Sequence, residues 1–228
     1  MVNDSVNPGG PGGDLMAAGK VQNYRSERGA RAYHDDHQKK LHRRWSDRRE
    51  RRILRDFLGR VGKLDSMLDV PCGFGRLLDV FREHAASVTE ADFSPTMLEL
   101  NEQLHGDQAK AYLHCSALDI PAADRAFGAT ASIRLSHHLE RHEDRLQHIR
   151  ELCRVSQRAV ILTYFSSTSL KNRLRRLRAK WNGKRPKNTL SGAEVAAEFQ
   201  RSGFRVTAMQ SLSILGSGHV YVLAERAS

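Results

Sequence analysis

Cysteine is scarce: three among 228 residues, at positions 72, 115 and 153, and none in a CxxC pair. That scarcity argues against a disulfide scaffold and against a thiolate zinc site, and fits reduced thiols in a cytoplasm. Prolines number 6 and aromatics make up 7% of the chain, while hydrophobic residues reach 39%, so neither a low-complexity nor a fibrous protein is expected. No apolar run approaches the roughly 18 residues needed to span a bilayer. The opening MVNDSVNPGGPGGDLMAAGK also lacks the basic start and apolar middle of a secretory signal. The expectation is a cytoplasmic protein with one main domain, since single cores stop growing only near roughly 250–300 residues.

Acid is short against base: 26 Asp and Glu face 37 Lys and Arg, a net charge of +11. The excess is concentrated. Residues 20–60 hold fourteen Lys/Arg against six Asp/Glu, and residues 171–187 (KNRLRRLRAKWNGKRPK) hold nine with no acid, whereas residues 61–170 are mildly acidic. Such blocks attract anionic partners: nucleic acid, a membrane surface or phosphorylated metabolites.

Residues 1–22, with GGPGG and no apolar period, read as a flexible tail. Residues 23–64 read as a basic helical cap. Tyr33, Leu41, Trp45, Ile53, Phe57 and Val61 recur at multiples of four, a step that drifts about 40° per repeat on a 3.6-residue helix. Two helices are therefore expected rather than one, the second opening at Asp47-Arg48-Arg49-Glu50, a capping-box-like start. From residue 65 to 228 short apolar runs alternate with helical stretches, the texture of β-α units and a mostly parallel sheet. Strands are expected at 66–71, 87–93, 111–117, 127–134 and 158–166, and helices at 75–84, 95–105, 142–154 and 191–202. The last helix is capped by Ser191 with Glu194 and stopped by Gly203. Two final strands, FRVTAMQSLSI and GHVYVLAER, flank the short Gly216-Ser217-Gly218 turn, which makes them antiparallel.

Met67 to Leu78 (MLDVPCGFGRLL) is a buried strand turning through Gly73 and Gly75 into a helix. Glycines there let the backbone approach a ligand, and free N–H groups at a helix start favour an anion. Asp92, nineteen residues after Gly73, ends the next strand. Strand, glycine loop, helix, strand and acid together suit an adenosine-type ligand whose ribose hydroxyls rest on the carboxylate. A dinucleotide is disfavoured, because the sixth position counted from Gly73 is Leu78 rather than the third glycine of GxGxxG.

Asp69-Val70-Pro71-Cys72-Gly73-Phe74-Gly75-Arg76, followed by Ala91-Asp92-Phe93-Ser94-Pro95-Thr96-Met97-Leu98, resembles the first two motifs of class I S-adenosylmethionine-dependent methyltransferases of the small-molecule type. Ala117-Leu118-Asp119-Ile120-Pro121 resembles the third motif, and Ser132 to Leu139 (SIRLSHHL) the end of the family's fourth strand. Pro71 stands where many members have the loop's first glycine. The resemblance implies an α/β, Rossmann-like, seven-stranded and mostly parallel sheet with an antiparallel last strand and helices on both faces. It also implies S-adenosylmethionine as cofactor, S-adenosylhomocysteine as product and no metal. By the same resemblance, Cys72, Gly73, Phe74 and Gly75 run along the methionine moiety and Asp69 supports its amino group. Asp92 takes the ribose hydroxyls, Asp119 the adenine amine, and Phe93 or Leu118 an adenine face.

On the substrate side His137 and His138 follow the fourth strand, where an open parallel sheet places its ligands, and either suits general-base work, His138 first. Arg134 and Tyr164 are expected to line the acceptor pocket. The segment 167–189 reads as a basic lid. Within it Leu170, Leu174 and Leu177 would anchor one helical face, and Trp181 would sit at a membrane interface or on a ring. The resulting expectation is methyl transfer to an oxygen, nitrogen or carbon of a small or lipid-linked, anionic acceptor, with peripheral contact to the inner face of an anionic membrane through 171–187. RNA is the competing acceptor, since Tyr24, Tyr33, Trp45 and Trp181 interleave the basic blocks, though no RRM, KH or zinc-knuckle signature accompanies them. A catalytically silent binding module is the third alternative. The absence of an Asn/Asp-Pro-Pro-aromatic tetrapeptide after the fourth strand speaks against methylation of exocyclic base nitrogens.

Overall fold

The computed structural model describes residues 41–169, 174, 188–213 and 217–227. The tail at 1–22, the helical expectation for Tyr24 to Lys40, and residues 171–187 apart from Leu174 lie outside the described residues.

Helix α1 (Leu41–Val61) leads into strand β1 (Leu64–Asp69), helix α2 (Leu78–Arg82) and strand β2 (Ala85–Asp92). Helix α3 (Pro95–His105), β3 (Ala111–His114), β4 (Phe127–Ser132), α4 (His142–Val155) and β5 (Ser156–Phe165) follow, and α5 (Gly192–Arg201), β6 (Phe204–Ser211) and β7 (His219–Arg226) close the chain. The seven strands form one sheet in the order β3-β2-β1-β4-β5-β7-β6. β1 to β5 pair in parallel, and β7 runs antiparallel to both β5 and β6.

Alternation along the inner strands feeds two cores, one on each face of the sheet. Met67, Ala129 and Ile161 look toward Ile53, Leu54, Phe57 and Leu58 of α1 and Phe81 of α2. Leu68, Val160 and Leu162 look toward Ile149 and Leu152 of α4 and Val195 and Phe199 of α5. Burial on both faces explains why these strands read as near-continuous apolar runs.

The sequence expectation of two N-terminal helices split at Asp47–Glu50 is corrected: α1 is continuous from Leu41 to Val61. The packed face is set by the pairs Ile53/Leu54 and Phe57/Leu58 with Val61, a stripe of helical period. The drift of a four-residue step turns Trp45 off that stripe, and it is 61% exposed. Asp47 and Glu50 serve as ion-pair partners inside the helix rather than as caps. The box foreseen at α5 does form, with Ser191 Oγ accepting from Glu194 N and Glu194 Oε2 accepting from Ser191 N. Gly203, in the left-handed region at φ 78°, ends that helix.

Candidate functional site

The site lies at the carboxyl edge of the parallel strands, at the adjacent pair β1 and β4, from which the sheet continues to β2 on one side and to β5 on the other. Two glycines shape its loop for different reasons. Gly75 has φ 75°, and a Cβ built on it would meet Asn101 Oδ1 at 2.1 Å, so both backbone conformation and packing require glycine. Gly73, at φ 58°, has nothing within 4 Å of the place a Cβ would take, and it lines a cavity. The peptide between Val70 and Pro71, at the position where the family's first glycine is expected, is cis.

Asp92 ties the loop to β2. Its Oδ2 accepts from Gly73 N and its Oδ1 from Ser94 N, both at 2.8 Å. Burial raises its carboxyl above the ordinary range, and the amides of Ser94, Gly73 and Phe93 oppose that rise. Asp69, at the end of β1, is 2% exposed. Its Oδ1 has no hydrogen-bond partner among the described residues. Burial first, then the charge of Glu90, push the Asp69 carboxyl well above its usual value, against a weaker opposing pull from Arg76. A buried carboxylate oxygen with no donor costs about 1–3 kcal/mol, and a cationic ligand would offset it.

The cavity has a volume of about 350 Å³. Its lining includes the acids Asp69 and Asp92 and the loop residues Cys72, Gly73 and Phe74, with Phe93, Ser94 and Met97. Arg76, Arg134, His137, His138 and His219 complete its lining. Leu118 and Asp119 follow the cavity-lining Ala117 in a turn closed by the Ser116–Asp119 bridge, and Asp119 is exposed. Neither is a lining residue of the cavity.

Tyr164 does not line the cavity, which corrects the expectation for its side chain. Strand alternation turns it the other way, into the core beside α5, where a Cβ on Gly192 would lie 3.3 Å from its hydroxyl. The next residue, Phe165, faces the site: its ring stacks on His137 at 4.2 Å between centroids and meets His219 edge-on at 4.4 Å. His137 also contacts His138, at 4.1 Å. His219 was not singled out from the sequence. The signal that could have found it is topological, because an antiparallel β7 starts at the same edge where β5 ends, and Phe165 pairs with His219 in register.

A buried ion cluster backs the two lining arginines. Glu50 of α1 is fully buried and lies 2.6 Å from Arg76 Nη2, while Arg134 Nε and Nη2 donate to its two oxygens at 3.0 Å. The Tyr221 hydroxyl donates to the same carboxylate, and Asp47 pairs with Arg76. Burial would raise the Glu50 carboxyl, but Arg76, Arg134 and Tyr221 outweigh it and hold it at about 2. Arg134 itself sits at φ 67°, its amide donating to Thr163 Oγ1, so β4 stops at Ser132 rather than 134. The sequence marked Glu50 only as part of a capping box, because two of its partners, Arg134 and Tyr221, lie 84 and 171 residues away along the chain. Among the described residues no group of three or more His, Cys, Asp or Glu is placed to hold a metal ion.

Residues 68–162 match the family model for a methyltransferase domain. A magnesium protoporphyrin IX methyltransferase of Synechocystis PCC 6803, crystallised with bound SAH, superposes with a TM-score of 0.72 at 14% identity, covering 91% of this chain and 98% of that one. A putative methyltransferase in complex with the Trm112 activator of Haloferax volcanii gives 0.65 at 14% identity, with 93% and 100% covered. The 1,6-didemethyltoxoflavin-N1-methyltransferase of Burkholderia thailandensis, with 1,6-didemethyltoxoflavin and S-adenosylhomocysteine bound, gives 0.61 at 17% identity, with 94% and 93% covered. No curated protein matches the chain by sequence. The chain thus carries a segment that matches a methyltransferase-domain model, in a fold shared with these methyltransferases.

Proposed function

We propose that the cavity binds S-adenosylmethionine and that the chain moves its methyl group to an oxygen, nitrogen or carbon of a small or lipid-linked, anionic acceptor. The observation that carries the reading is the pairing of an orphaned, buried Asp69 oxygen with the open face of Gly73 in one cavity. An amino acid ammonium satisfies the first, and a chain lying close against the backbone uses the second. Asp69 would hold the ammonium, Cys72 to Gly75 would follow the methionine moiety, Asp92 would take the ribose hydroxyls, and Phe93 would cover the adenine. Leu118 and Asp119, in the turn after the lining Ala117, would meet the base only where it extends past the cavity's lining. Bound there, the cofactor supplies a methyl group on a sulfonium, open to in-line attack.

The chain's own contribution is then chiefly alignment, a term that reaches several kcal/mol when two reactants are held in attack geometry. His138 would receive the proton of the acceptor nucleophile. His137, fixed by its stack on Phe165, would hold the rim of that subsite. Arg134 and Arg76 line the same cavity, and the guanidinium donors not engaged by Glu50 and Asp47 would meet an acidic acceptor. The described flanks of the basic block support the same reading: Asn188 Nδ2 donates to His137 O at 3.2 Å, so the chain carrying nine Lys/Arg rejoins the structure beside the lining His137.

The test is calorimetric titration with S-adenosylmethionine and S-adenosylhomocysteine, with NAD as control. Micromolar binding of the first two and none of NAD is expected, and Asp92→Ala should weaken it by about 1–3 kcal/mol with the fold kept. A folded protein that ignores both ligands would sink the reading. Strongly salt-dependent RNA binding in their place would favour a nucleic-acid-binding scaffold.

A further inference from the structure

Glu90 takes no part in the site as built above, yet it stands beside it. Asp69 of β1 and Glu90 of β2 are register partners in adjacent parallel strands, so their side chains leave the same face of the sheet side by side. Asp92, two residues further along β2, points to that face as well. Glu90 is fully buried, and one of its oxygens accepts from Asn101 Nδ2 at 2.8 Å. Its other oxygen, like Asp69 Oδ1, has no hydrogen-bond partner among the described residues. Two buried carboxylates with an orphan oxygen each, side by side, do not both stay ionised, because desolvation and mutual repulsion act together.

The groups facing Glu90 do not supply the missing positive charge. From β1 comes Asp69, from β2 Asp92, from β3 the register partner Tyr112, and from α3 the amide of Asn101. The loop offers the Cys72 thiol, while the charge of the buried Glu50 of α1 bears on Asp69. Arg76 acts on Asp69 but is itself engaged by Glu50 and Asp47. Burial is the main cause that lifts Glu90 to about 7, consistent with a proton held near neutrality.

We infer that Glu90 is a positioning residue of the cofactor subsite: in the ligand-free protein it shares one proton with Asp69, and that proton leaves for solvent when a ligand ammonium settles on Asp69 Oδ1. The balance is simple: one positive charge enters on the ligand, one leaves as a proton, and no covalent bond to carbon changes. The inference rests on the cofactor reading proposed above. It adds that occupancy of this methyltransferase site is proton-linked, with acid conditions favouring the empty state.

Calorimetry of S-adenosylmethionine and S-adenosylhomocysteine binding in buffers of differing ionisation enthalpy reads the proton directly. Near pH 6 about one proton is expected to be released per ligand bound, falling to none near pH 8.5, with Kd rising about tenfold per pH unit lost below neutrality. Glu90→Gln keeps an acceptor for Asn101 and removes the partner carboxyl, so release should vanish at pH 6 and Kd should become nearly independent of pH. Glu90→Asp should restore the release. A carboxyl 13C NMR titration of the ligand-free protein should show Glu90 and Asp69 titrating together, and disappearance of that joint step in Glu90→Gln checks the pair without any ligand. Binding with no proton release, or equal release in Glu90→Gln, would overturn this inference and leave the cofactor reading intact. Absence of binding at every pH overturns the cofactor reading itself.

Discussion

Gly73 and Gly75 are both glycines at positive φ, and they answer to different constraints. Gly75→Ala must force a Cβ into Asn101 as well as into left-handed backbone, so a loss of about 2–4 kcal/mol is expected in urea unfolding. Gly73→Ala meets open space, so its backbone cost should be nearer about 1–2 kcal/mol. Its larger effect should be on ligand titration, since the new methyl occupies the cavity floor, and affinity for S-adenosylhomocysteine is expected to fall at least tenfold. Equal ligand affinity in the Gly73 variant and wild type would place the cofactor elsewhere. Asp92 illustrates how far residue-level reading reaches. Its spacing from Gly73 marked it as a ligand carboxylate, whereas its bond to the Gly73 amide, which makes it a brace of the loop too, needs the folded backbone.

At the scale of elements, α1 is the piece the sequence least explained. Its apolar half was legible as a helix, but its acidic residues looked like a cap because local spacing allows that and cannot see across the fold. Glu50 instead joins α1 to the glycine loop through Arg76, to the end of β4 through Arg134 and to β7 through Tyr221. Removing one partner of a buried ion cluster strands the others, so Glu50→Ala should cost about 3–5 kcal/mol in chemical denaturation. Asp56→Ala, which breaks only the exposed i,i+4 pair with Arg60, should cost less than about 0.5 kcal/mol. Similar losses for both would show that the cluster is not a structural tie. By contrast α3 and α5 were read with nearly their observed bounds, because Ser94-Pro95 and Ser191 with Glu194 mark helix starts through contacts within four residues.

For the whole molecule, buried titratable groups set the response to pH. His148 is buried at Ser132 and held neutral by burial, its value lowered from 6.5 to about 3, so its stabilising share is present above 6.5 and drains as pH falls toward 3. Glu50, lowered from 4.5 to about 2, adds stability above 4.5 that is lost as pH falls through 2. Glu90 acts oppositely: raised from 4.5 to about 7, it favours the fold below 4.5 and loses that share as pH rises through 7. Between pH 4.5 and 6.5 the His148 and Glu90 shares offset, so a nearly flat Tm is expected there, followed by a steep fall below pH 4.5. A Tm that instead declines evenly from pH 7 would show that these buried groups are not in the states assigned to them.

The sequence by itself determined what depends on neighbours along the chain: the β-α alternation, the glycine loop, Asp69 and Asp92 at strand ends, and the helix caps. It also carried the family resemblance, because those motifs are contiguous. Only the tertiary structure decided which side chains meet. Strand parity sent Tyr164 into the core and Phe165 to the site, and the antiparallel course of β7 brought His219 to the ligand edge. Register set Glu90 beside Asp69, and the packing of α1 drew Glu50 under two arginines. Such contacts are fixed by the close packing of distant segments, and local spacing carries no record of them.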